Sequence, residues 1–232
     1  MKKSLFASLL ALPAFLFVNS ANAAAVTGQA NIAGNVSASA ASITFSPTFT
    51  NTSGAMETGA FAGLTGGTIQ SLGGGAATGD TSVPAFITFA NGVATPVIFD
   101  LTYISPGVGT LADCTSGALG SACTPAGSPF TLFQMTSNTV VTTLQLNGVS
   151  YTGSAATGSS PTVGVFSTQM VASGTVPQIY QMLVSGGAIN GITYSASFLA
   201  NPVPEPASLA LLGLGLVGAG ILARRKTAKT NN

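Results

Sequence analysis

Few side chains in this sequence can do chemistry. Between Ala24 and Val203 the acids are Glu57, Asp80, Asp100 and Asp113, and the thiols are Cys114 and Cys123. Histidine is absent, and the six lysines and arginines (Lys2, Lys3, Arg224, Arg225, Lys226 and Lys229) all lie at the two ends. Without histidine, Ser-His-Asp and Cys-His catalysis have no base. Without a central lysine, Ser-Lys dyads and Schiff bases are excluded as well. Zinc sites of the usual ligand types lack donors. Glycoside hydrolysis needs only two carboxylates, so it is the one enzyme class that the inventory leaves open. Three of the four acids fall in stretches rich in Gly, Ser and Thr, where a carboxylate is simply solvated. Asp100 alternates with apolar residues and points away from them, which again reads as exposed. Tryptophan, a frequent sugar-stacking platform, is absent. The segment therefore reads as non-catalytic and without a cofactor. Asp80 and Asp113 offer hard oxygens for weak calcium binding, but no D-x-D run or EF-hand loop supports a site, and no metal is expected. Nucleic-acid binding needs cations to displace phosphate counterions, and a basic membrane patch needs them too; this segment has none.

The elements that must position these groups read as strands. Short runs of β-branched and aromatic residues alternate with clusters of Gly, Asn, Ser and Pro, the spacing of an all-β domain. Pro84–Ala90 and Val93–Ser105 flank Asn91-Gly92, which predicts a hairpin with a two-residue type I′ turn. Phe130–Thr136 and Thr139–Leu146 flank Ser137-Asn138, a second hairpin. The runs 163–171 and 178–184 read as further strands, and Ile192–Phe198 has the cleanest period of two in the chain. No stretch of this domain shows a helical period. The expected fold is an antiparallel β-sandwich, jelly-roll-like, of about eight to ten strands. Cys114 and Cys123 lie in a Gly/Ser/Pro-rich loop of a chain that carries export features, so they are expected to form a disulfide. Closing so short a loop contributes roughly 2–3 kcal/mol in the chain-entropy account.

Both ends have a different character from the domain. Met1-Lys2-Lys3 is a basic n-region, Leu5–Val18 a short apolar run, and Ala21-Asn22-Ala23 an A-x-A cleavage pattern. Residues 1–23 are read as a secretory signal peptide, with the exported domain over 24–200. At 201–206, Pro202, Pro204 and Pro206 impose an extended strip. Residues 207–223 are uncharged and apolar. As a helix they would be roughly 25 Å long, at the short end for a bilayer span. Arg224, Arg225 and Lys226 follow, within a basic tail over 224–232 that is expected to stay cytoplasmic. A buried core helix would not end in three consecutive cations. Gly213, Gly215 and Gly218 match a dinucleotide fingerprint in form only: no strand precedes them, and too little chain follows for a βαβ unit. Gly215, Ala219 and Ala223 instead form a small-residue stripe suited to helix packing in a membrane.

Val203-Pro204-Glu205-Pro206, the short Gly/Leu/Ala-rich span and Arg224-Arg225-Lys226 together resemble the PEP-CTERM sorting signal, over about residues 202–226. The resemblance implies an exported protein of a Gram-negative, exopolysaccharide-producing bacterium. It implies an exosortase as processing partner, with Pro204, Glu205 and Pro206 recognised and the helix serving as a transient inner-membrane anchor. The domain is then expected to reach the outer surface or the extracellular matrix in a structural or adhesive role. The rival reading is a glycan-binding module for exopolysaccharide, with Tyr103, Tyr151, Tyr180 and Tyr194 as stacking faces. A carboxylate glycosidase is the remote one. The uncharged, Thr/Ser-rich strand faces also suit self-association.

Overall fold

The computed structural model describes residues 25–52, 57–73, 79–153, 158–171 and 174–201. The elements are β1 (Gly28–Ser39), β2 (Ile43–Phe45), β3 (Thr48–Asn51), β4 (Gly66–Ile69), β5 (Gly79–Asn91), β6 (Val97–Ile104), β7 (Ala122–Cys123), β8 (Thr131–Thr136), β9 (Thr139–Thr152), β10 (Ser160–Val171), α1 (Val176–Val184) and β11 (Ala188–Ala200). Two 3-10 turns lie at Gly59–Phe61 and Ala112–Thr115. The strands join in the order β10-β11-β1-β3-β4-β5-β6-β9, and β9 pairs back onto β10. That last ladder runs from Ser160↔Ser150 to Val171↔Thr139 and closes an eight-stranded antiparallel barrel. β2 attaches to β1, while β8 and then β7 branch from β9.

The β-sandwich expectation is therefore corrected. The chain is all-β and antiparallel, but one sheet closes on itself instead of two sheets stacking. Alternation along a strand says that one face is buried; it does not say whether that face meets a second sheet or the far wall of its own. Closure here is helped by close approaches inside the barrel. Gly34 on β1 pairs with Tyr194 on β11, and Gly164 on β10 pairs with Phe198 on the same strand. A Cβ on Gly34 would lie 2.9 Å from the Tyr194 ring, and one on Gly164 would overlap the Phe198 ring. The two glycines thus let β11 lay large rings against its neighbours, so the sheet can curl tightly around one core.

That core is filled. Phe45, Phe49, Phe61, Phe86, Phe89, Phe99, Phe166, Tyr194 and Phe198 form a connected set of ring contacts, mostly edge-to-face, with centroids 5.0–6.4 Å apart. Such pairs add roughly 0.5–1.5 kcal/mol each beyond area burial. The outer face carries Asn31, Asn35 and Ser37 on β1, Ser195 and Ser197 on β11, and Gln145 and Asn147 on β9. The same face also exposes Val163 and Val165 on β10 and Leu199 on β11.

Two local expectations also change. β5 and β6 do form a hairpin, but residues 92–96 make a five-residue connection rather than a two-residue turn, and only Gly92 of the Asn-Gly pair has positive φ (83°). The β8–β9 hairpin around Ser137-Asn138 is formed, with Thr136 opposite Thr139. The run 178–184, expected as a strand, is α1. Its signals were in the sequence: Thr175 and Gln178 have capping-box spacing, and Pro177 sits in the first turn. Val176, Ile179 and Leu183 recur at helical spacing and are buried. Among the described residues no helix is long and apolar enough to cross a membrane. The expected span at 207–223 lies outside the described residues.

Gly28 pairs with Ala200, so the chain enters and leaves the barrel side by side at one end. α1 and the 3-10 turn at Ala112–Thr115 lie in the β10–β11 and β6–β7 connections, at the opposite end.

Candidate functional site at the distal end of the barrel

The disulfide is formed. Cys114, in the second 3-10 turn, joins Cys123 on β7 with Cα atoms 5.0 Å apart, and both residues are fully buried. It staples the long β6–β8 connection to the distal end. Gln134, wholly buried on β8, anchors the same end. Its side-chain carbonyl accepts the Val176 amide at 2.7 Å, and its Nε2 donates to the Thr136 carbonyl. The start of α1 is thereby tied to β8. Sequence reasoning missed Gln134, because an isolated glutamine in a strand carries no signal until its partner is known.

The four candidate acids are set on separate elements. Asp100 is not merely exposed, as expected; it is half-buried on the outer face of β6. Its Oδ1 accepts the Ala85 amide at 2.6 Å and the Tyr151 hydroxyl at 3.1 Å. Ala85 follows Pro84 at a register shift in β5 and has φ of 48°, a left-handed backbone uncommon for a residue with a Cβ. Asp100 therefore pins a strained bulge. Burial, with the adjoining Asp100 carboxylate second, raises the Tyr151 phenol above its ordinary value. Asp113 accepts the Thr110 amide and hydroxyl, both at 2.8 Å, and these bonds hold its carboxyl below the usual range. Asp80 of β5 lies opposite Tyr103 of β6, and Glu57 lies beside the first 3-10 turn at the other end. Among the described residues no group of three or more His, Cys, Asp or Glu side chains is placed to hold a metal ion. Of the tyrosines proposed as stacking faces, Tyr194 is buried inside the barrel.

The feature not foreseen is a row of hydroxyls. Thr142 on β9 faces Thr168 on β10, and Thr168 faces Tyr194 on β11. All three side chains are more than nine-tenths buried, and none of their hydroxyls has a hydrogen-bond partner. All three residues contribute to the lining of one pocket whose surface is almost wholly apolar, with Phe45, Phe130, Phe166, Ile189 and Ile192 also in the lining. Its free space is about 30 Å³, room for one or two water-sized groups. Burial pushes the Tyr194 phenol up. Gln178, Ile179 and Met182 of α1 and Ala188–Asn190 with Ile192 of β11 line a second groove of about 190 Å³. Ile189 and Ile192 belong to both linings.

The fold and its surroundings thus define a filled antiparallel barrel that runs directly into a proline-rich C-terminal segment. That segment, residues 202–226, matches the family described as the PEP-CTERM protein-sorting motif. The motif marks an exported protein sorted by way of exosortase, with membrane-anchored transit. It covers the tail only. No match is found among curated proteins, and none among solved structures. Val203, Pro204, Glu205, Pro206, Arg224, Arg225 and Lys226, like Ala21 and Ala23 of the expected cleavage pattern, lie outside the described residues.

Proposed function

We propose that this chain is a non-catalytic protein of the cell surface or extracellular matrix, structural or adhesive in role, delivered there by exosortase sorting. The observation that carries the reading is the join between a sorting motif at 202–226 and the barrel that precedes it. Two of the four acids support the non-catalytic part. Asp100 pins a backbone bulge and Asp113 closes a 3-10 turn, so both carboxylates are already engaged in holding the fold. The barrel's geometry supports display: both chain ends leave from one end, so a tether there presents α1 and the disulfide loop outward.

The test is localisation in the native host. Glu205→Ala, and separately truncation after Asn201, are expected to remove the protein from the surface or matrix fraction while the barrel still folds. Unchanged localisation in both would overturn the sorting half of the proposal.

A further inference from the structure

We infer that the outer wall of β10 and β11 is a seat for a lipid bilayer, and that it holds the barrel against the membrane in which its own tail is anchored. The inference rests on the membrane-anchored transit that the sorting motif implies. Val163 of β10 stands directly opposite Leu199 of β11, and Val165 follows two residues on along the same face. All three side chains point outward and are exposed. Pro161, also exposed, continues this strip toward the chain exit. The partners that flank it on β9, β11 and β1 are Asn147, Gln145, Ser197 and Gln29, and none is charged. Such a strip can be set on hydrocarbon without stripping water from an ion.

Position decides what covers it. The chain leaves the barrel at Asn201, two residues after Leu199, and the Asn201 amide donates to the Pro161 carbonyl at 3.1 Å. The exit is thus fixed beside the strip. From there five residues, 202–206, lead to the uncharged apolar run at 207–223. Even fully extended, that link spans at most roughly 20 Å. An anchored tail therefore keeps the strip at the bilayer, at an effective concentration where a weak contact suffices. The exposed apolar side chains Leu111, Met182 and Val184 belong to the opposite end. That end is roughly 30 Å along the barrel, beyond the span of the link. No cation lies between Ala24 and Val203, so the contact gains nothing from anionic headgroups and depends on apolar burial alone. Its consequence is that the motif at 203–206 is kept at the lipid surface.

The test uses the full chain in phosphatidylcholine nanodiscs that carry spin-labelled lipid, read by methyl NMR at valine and leucine. Relaxation is expected to be several-fold faster at Val163, Val165 and Leu199 than at Leu111 and Val184, because the label acts only at short range. Replacing part of the lipid by phosphatidylglycerol, or raising the salt, is expected to leave that ratio unchanged. The double variant Val163→Ser, Leu199→Ser alters only exposed side chains. It is expected to bring Val165 down to the rate of the opposite end while the chain still co-floats with phosphatidylcholine vesicles. Should the variant misfold, the ratio in the unaltered chain decides alone. Equal relaxation at both ends of the unaltered chain overturns the proposal, since the barrel then moves freely on its link. A ratio that needs anionic lipid overturns it too. Shifts at the strip that grow with the number of chains per disc, without relaxation from the lipid, assign the strip to a second copy instead. A chain that does not co-float at all overturns the anchored reading, and this seat with it.

Discussion

Tyr194 gives the barrel its clearest pH dependence. Its phenol is buried, and burial raises its pKa because the phenolate would lose its hydration. An unfolded tyrosine ionises at about pH 10. Below that value both states hold the proton, and the stability of the fold is unaffected by this group. Above it the unfolded chain releases the proton first, so stability falls as pH rises toward the folded value, by about 1.4 kcal/mol per pH unit. Tyr151 has the same sign but sits near solvent. Asp113 has the opposite sense: its lowered value contributes stability above the ordinary carboxylate range, and the contribution is lost on acidification. Thermal melts are therefore expected to hold steady through neutral pH and to drop above about pH 10, with a visibly shallower alkaline drop in Tyr194→Phe. An identical alkaline drop in the variant would remove Tyr194 as the cause. At this scale the sequence located every titratable group but misjudged Asp100. Its role depends on Ala85 and Tyr151, which are 15 and 51 residues away in sequence.

Among the elements, β11 depends most on its neighbours. Phe198 lies against Gly164, and Tyr194 lies against Gly34. Gly164→Ala places a methyl group inside the Phe198 ring and is expected to cost about 1–3 kcal/mol by overpacking, read as a lower denaturation midpoint with an unchanged slope. A neutral outcome would mean that the ring has room to move and that the close approach is not needed for closure. The strands themselves were legible: period-two alternation at 192–198 and around Ser137-Asn138 corresponds to observed strands and to an observed hairpin. The helix was harder. α1 has only nine residues, and its run of Val, Ile, Tyr, Leu and Val fits strand propensity as well as helix. Thr175, Pro177 and Gln178 tip the balance locally. The Gln134 bond to the Val176 amide then holds the helix start from a strand 42 residues away in sequence.

At the scale of the whole molecule, closure removes the free edges of the main ring. In a sandwich the β9–β10 ladder would not have to lie within one continuous ring; here it joins the two ends of the strand order. Amide hydrogen exchange is expected to be slow in both β9 and β10, at Val165 as much as at Leu146, because neither strand is an edge. Rapid exchange along β10 with protection elsewhere would show an open sheet. The sequence by itself determined that the domain is β-rich, that Cys114 and Cys123 have the context of a disulfide, and that the tail carries a sorting motif. Each of these depends on residue type and short spacing, which a linear chain displays. Only the tertiary structure decided that the sheet closes, that Asp100 holds a bulge, and that Thr142, Thr168 and Tyr194 fall in one register across three strands. Those depend on pairings across β9, β10, β11 and β1, and a buried face has the same period whichever wall it meets.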